Sequence, residues 1–271
     1  MKKFNLKYIF ILIVFSSCNN IPEIENAKKL YNNGQFEEAI GEYDKAIAKS
    51  PNDCNLFAER SYCYQVMLEF DKEIIDLLKA IRLGCADDKI YNNLGNAYFK
   101  TGKTPLAIIS FHKALESNSS NGTAASNLGI CYYDIGQKHL AEKYLKRAIE
   151  IDPDTADNYY YLGVQQQNNN NFESALHNLN KAINLKSGFP IFYIKRAAIL
   201  GALGLYEKAL EDIDYSLNYN LDQYNMVEAL HIRVLCLISL EKTNEACIEI
   251  MKLKAIEPTF DCTVFDIDCE Q

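Results

Sequence analysis

Nine cysteines and four histidines carry the widest chemical range in this 271-residue chain, as nucleophiles, disulfide partners, metal ligands or proton shuttles. The histidines, at 112, 139, 177 and 231, share no metal-ligand spacing, so a solvated or locally bonded role is the expectation for each. Thr101-Gly102-Lys103-Thr104 has the ending of a phosphate cradle. That cradle also needs a glycine five residues before Gly102, where Ala97 stands, and a strand leading into it. No serine sits in a nucleophile-elbow context, and no carboxylate pair stands out from an acidic helical surface. These patterns predict a protein that is not an enzyme and holds no cofactor and no metal.

One cysteine stands apart from the rest. Lys2, Lys3 and Lys7 precede the apolar run Tyr8 to Phe15, which gives way to Ser16-Ser17-Cys18, the three regions of a secretory signal. The eight-residue apolar run falls well short of the ~20 that a spanning helix needs. Phe15-Ser16-Ser17-Cys18 resembles a bacterial lipobox, with Phe15 where Leu is usual. The resemblance implies cleavage after residue 17 and lipidation of Cys18, whose several acyl chains would hold the chain to a membrane. Asn19 is not the acidic residue that resembles an inner-membrane retention signal, so the outer membrane of a Gram-negative cell envelope is the expected location. The formal charge of −8 becomes −11 without residues 1–17. Such a body lacks the electrostatic attraction on which nucleic-acid binding depends, and no nucleic-acid partner is expected.

The other eight cysteines take their meaning from the elements that hold them. Ala39, Ala107, Ala141, Ala175 and Ala209 fall on a 34-residue grid whose remaining point is Glu73. Seven residues on, Ala46, Ala80, Ala114, Ala148, Ala182 and Ser216 keep the same period. Between the two series lie Tyr43, Leu77, Phe111, Leu145, Leu179 and Ile213, so small, large and small residues form one helical stripe. An upstream helix in each unit is marked by Ala27, Ser61, Gly95, Gly129, Gly163 and Ala197. Gly34, Gly102, Gly136, Asn170 and Gly204 punctuate the turn between the two helices, where a positive φ is often needed.

This pattern resembles the tetratricopeptide repeat, a 34-residue helix–turn–helix. The resemblance implies an all-α, right-handed superhelical solenoid of stacked units at 20–53, 54–87, 88–121, 122–155, 156–189 and 190–223. A closing unit at 227–260 follows a three-residue insertion at 224–226, and a tail occupies 261–271. Cys63, Cys131 and Cys236 share one buried position and are expected to be free thiols. Cys54 and Cys85, at helix ends that an antiparallel pair brings together, are the first disulfide candidates, and Cys262 with Cys269 the second. The tail, with Val264, Phe265 and Ile267, either folds back over the last two units or frays.

The family also implies a concave wall formed by the first helix of each unit, on which peptides bind. Its exposed positions give Tyr31, Tyr62, Asn92, Asn96, Phe99, Ser126, Ile130, Tyr133 and Tyr160, an aromatic and amide surface for a protein or peptide ligand. The cationic clamp that some members use for acidic chain ends is missing, because Asp157 and Tyr161 stand where cations would be needed. Toward the C-terminus the wall is expected to turn apolar at Ile191, Ile194, Ala198, Leu235 and Ile238. The leading expectation is a non-catalytic, lipid-anchored scaffold in an envelope assembly or secretion complex. The alternative is a lipoprotein that captures glycan or peptide for an uptake system, and the oligomeric state stays open.

Overall fold

The computed structural model describes residues 22–258 together with Phe265 and Cys269. The expected signal segment, Cys18 and most of the tail, including Cys262, lie outside the described residues. The chain divides into two compact bodies, one ending at Ala86 and the other beginning at Asp87. The first contains α1 (Pro22–Asn32), α2 (Phe36–Lys49), α3 (Cys54–Val66) and α4 (Phe70–Arg82). The second contains α5 (Asp88–Lys100), α6 (Thr104–Ser117), α7 (Gly122–Asp134), α8 (Lys138–Ile151), α9 (Ala156–Gln167), α10 (Phe172–Leu185), α11 (Pro190–Ala202), α12 (Tyr206–Leu217), α13 (Gln223–Ser239) and α14 (Thr243–Ile256). Within each body, consecutive helices pair as hairpins and each hairpin packs on the next, so both are all-α repeat solenoids.

Each hairpin closes on its small residues. Ala39, Ala107, Ala141, Ala175, Ala209 and Ala246 are fully buried, and the large residue four positions on fills the space they leave. The requirement is steric. A methyl group on Gly95 would lie 2.6 Å from the Phe111 ring, and one on Gly129 2.6 Å from Leu145 Cγ. The turn has its own requirement, a left-handed residue at the fifteenth position of every unit. Gly34, Gly102, Gly136 and Gly204 meet it without strain, whereas Leu68, Asn170 and Glu241 hold φ near +60° with a side chain. Asp53, Asp87 and Asn121 then cap the first helix of the following unit by accepting hydrogen bonds from backbone N–H groups.

A charged staple recurs in three units. Arg60 donates to Asp76 at 2.7 Å and also pairs with Asp44, tying its hairpin to the one before. Arg196 does the same with Asp212 and Asn180, and Arg233 with Glu249 and Asp214. At the equivalent position α5, α7 and α9 carry Leu94, Leu128 and Leu162, all buried. The fold therefore accepts either an ion-paired guanidinium or an apolar side chain at this place.

The seventh unit differs from its expected outline. Residues 224–226 do not loop out; they lengthen α13 to 17 residues, started by an Asp222 cap. Ile194, expected on the open wall, is fully buried against Ala197, Ala209 and Ile213, because the apolar residues of α11 serve the seam with its neighbours. Phe265 is buried against Leu230, Val234, Ile250 and Leu253, the face to which a further unit would attach. Cys269 bonds to Cys247 on α14, so the expected pairing of Cys269 with Cys262 is corrected. Cys54 and Cys85 are also joined by a disulfide. Cys63, Cys131 and Cys236 are free and buried, and burial pushes the Cys131 thiol up to about 12, which makes it a poor nucleophile.

Candidate functional site

In the first body, Tyr31 and Tyr62 line a shallow cleft of about 350 Å³ with Lys28, Tyr43 and Glu59. Lys28 and Glu59 pair at 2.8 Å across its mouth. Burial, followed by the nearby Glu59 carboxylate, raises the Tyr43 hydroxyl well above its ordinary range and keeps it protonated.

The second body holds the remaining residues of the expected wall and uses them in two ways. The amides are spent on structure. Asn127 donates to Asn92 at 3.2 Å and to Asn96 at 2.9 Å, and Ser126 donates to Asn158, so polar bonds stitch α5 to α7 and α7 to α9. Phe99 packs against the core around Phe111 and Leu128. The aromatics of α7, α9 and α11 behave differently. Tyr133 meets Tyr161 at 5.9 Å between ring centroids, Tyr161 meets Tyr160 at 5.1 Å, Tyr160 stacks on Phe192 at 5.0 Å, and Phe192 stacks on Phe189 at 5.4 Å. Five rings thus run without a break across three hairpins.

Beside this run opens a cleft of about 560 Å³, lined by Ser126, Ile130, Asp157, Asn158, Tyr160, Tyr161 and Phe189 among others. The structure therefore brings Ser126, Ile130 and Tyr160 together, with Tyr133 joined to them through Tyr161. Burial raises the Tyr160 and Tyr161 hydroxyls, with smaller contributions from neighbouring hydroxyls and from Asp157. They remain donors throughout the physiological pH range. Among the described residues no group of three His, Cys, Asp or Glu side chains could hold a metal ion, and no helix is long and apolar enough to cross a membrane.

Phe189 and Phe192 were absent from the expected wall, because family positions counted from the repeat start do not reach them. A local signal existed. Phe189 occupies the position where Asp53, Asp87 and Asn121 cap their helices, and it makes no cap hydrogen bond.

The tetratricopeptide repeat family model matches residues 88–154, spanning the third and fourth units. Stress-induced-phosphoprotein 1 of Caenorhabditis elegans is 25% identical over 204 residues, covering 72% of this chain. The chain spans 60% of that relative's length. A solved tetratricopeptide repeat-containing protein from Cytophaga hutchinsonii superposes with a TM-score of 0.69 at 21% identity, covering 90% of this chain and 99% of its own. YrrB, described as a TPR protein with an unusual peptide-binding site, superposes with a TM-score of 0.56 at 27% identity, covering 64% of this chain and 89% of its own. With the hairpin geometry above, these likenesses show a tetratricopeptide-repeat fold, and the family match itself covers residues 88–154.

Proposed function

We propose that this protein is a non-catalytic, lipid-anchored interaction module of the bacterial cell envelope. It holds a polypeptide segment of an assembly or secretion complex against the aromatic wall of α7, α9 and α11. The observation that carries the reading is the unbroken run of five rings beside an open cleft. Flat aromatic area with hydroxyl donors suits a polypeptide, and the run presents the exposed Phe189 ring and the partly exposed Tyr133, Tyr160 and Tyr161 over the buried Phe192. The peptide-binding site named for YrrB supports a similar use of this fold. Two disulfides suit an exported chain, and Cys18 at the end of its signal-like segment suits an acyl anchor in the outer membrane.

Two measurements test the reading. A photo-crosslinking side chain placed at Phe189 should capture a polypeptide, whereas the same group at the exposed Ile109 on α6 should not. Equal capture at both positions refutes the wall as the binding surface. Membrane extraction and intact mass should show acylated Cys18, and Cys18→Ser should yield an unacylated chain. An unmodified Cys18 at the mature terminus refutes the anchor.

A further inference from the structure

The geometry points to a seat for one basic side chain at the α9–α11 end of the cleft, so that the bound segment presents a lysine or arginine between Asp157 and the Phe189 ring. This rests on the proposed use of the wall for polypeptide binding and adds the chemistry of the partner.

The first observation is that a cation already visits this place. Lys186, at the exit of α10, puts its Nζ 3.7 Å from Asp157 Oδ2 and 5.1 Å from the centre of the Phe189 ring. Both Lys186 and Asp157 are nearly half exposed, and the pair is long, so the ammonium is weakly held and easily replaced. The second observation is the ring itself. Phe189 gives up the capping hydrogen bond made by Asp53, Asp87 and Asn121, at a cost of about 1 kcal/mol to α11. In exchange it places a 45% exposed ring over the mouth of the cleft. The ring stacks on Phe192 and leaves its other part open at the cleft, where a ligand cation can reach it.

The third observation is charge. Asp152 and Asp157 line the cleft and no cationic residue does. The fourth is a buried amide. Asn158 is only 1% exposed and lines the cleft, and its Oδ1 accepts from Ser126. The same amide carries N–H donors of the kind that fit a backbone carbonyl of an extended segment. The elements together describe a peptide subsite: a donor for the backbone, rings for apolar side chains, and a carboxylate facing an aromatic ring for a cation.

The test selects a phage-displayed random dodecapeptide library on the full chain. Fluorescein-labelled winners are then measured by anisotropy beside versions whose lysine or arginine is replaced by norleucine. Winners should be enriched in basic residues, and norleucine should weaken them about five- to tenfold, the combined reach of an exposed ion pair and a cation–π contact. Asp157→Asn should cut that difference to the roughly two- to fivefold that the Phe189 ring alone supplies, without altering the melting curve. Lys186→Ala should tighten the basic peptides by removing the resident ammonium, a result that a merely structural lysine would not give. If winners bind and depend on Tyr161 and Phe189 but show no basic preference, or if Asp157→Asn leaves the preference intact, the seat is refuted and the wall stands. If no peptide is selected, or if binding ignores Tyr161→Ala and Phe189→Ala, the wall and the seat fall together.

Discussion

Glu73 breaks the alanine series in α4, and its removal should reveal a pH-dependent weakness in the first body. The six equivalent positions hold fully buried alanines, whereas Glu73 is 1% exposed. Its Oε1 accepts from Gln65 at 3.1 Å, and its Oε2 is buried without a partner. Burial pushes the carboxyl from 4.5 up to about 7, with the Gln65 hydrogen bond as the opposing influence. A folded value above the unfolded one means that the native state binds the proton more tightly. The native state is therefore undisturbed by Glu73 below pH 4.5 and loses stability as the pH rises to about 7. At about 1.4 kcal/mol per pH unit, the interval amounts to a loss of about 3 kcal/mol. Glu73→Gln keeps the shape and removes the charge, and Glu73→Ala restores the residue of the other units. Urea unfolding followed by circular dichroism from pH 4.5 to pH 8 should show both variants close to wild type at the acid end and about 3 kcal/mol more stable at pH 8. A variant curve that stays parallel to wild type across this range would refute the buried, uncompensated carboxylate.

Leu68→Gly and Glu241→Gly should each stabilise by about 1 kcal/mol in thermal or urea melts, because both residues hold the left-handed turn and Leu68 is 70% exposed, with little packing to lose. Asp212→Ala should cost about 2 kcal/mol by stranding the half-buried Arg196, whereas the double change Arg196→Leu with Asp212→Ser, which copies Leu94 and Ser110 of the third unit, should be near neutral; equal losses in both would show that the staple is no isolated unit. Phe265→Ala should cost about 3 kcal/mol by uncovering Leu230, Val234, Ile250 and Leu253, and Cys269→Ser about 2 to 4 kcal/mol, measured by melting under non-reducing conditions. Unchanged melting in both would mean that the tail closes nothing.

The sequence by itself determined the helical hairpins. A 34-residue recurrence of small and large residues leaves one way to bring two helices together, since Gly95 cannot accept even a methyl group beside Phe111. It also placed the turns, because a left-handed residue at a fixed position is a local demand that glycine or asparagine answers visibly. Leu68 and Glu241 meet the same demand without announcing it. What the wall residues do was decided by the tertiary structure. Asn92, Asn96 and Ser126 sit at positions that could face a ligand, yet neighbouring helices come close enough for Asn127 and Asn158 to claim them. Ile194 looked like open wall and is core, because burial depends on which helix arrives next to it. The ring run from Tyr133 to Phe189 joins residues up to 59 positions apart, and the partner of Cys269 lies 22 residues back on α14 rather than within the tail. Periodicity records what each unit repeats. Pairings between units and at the array's end depend on distances that arise only when the hairpins stack.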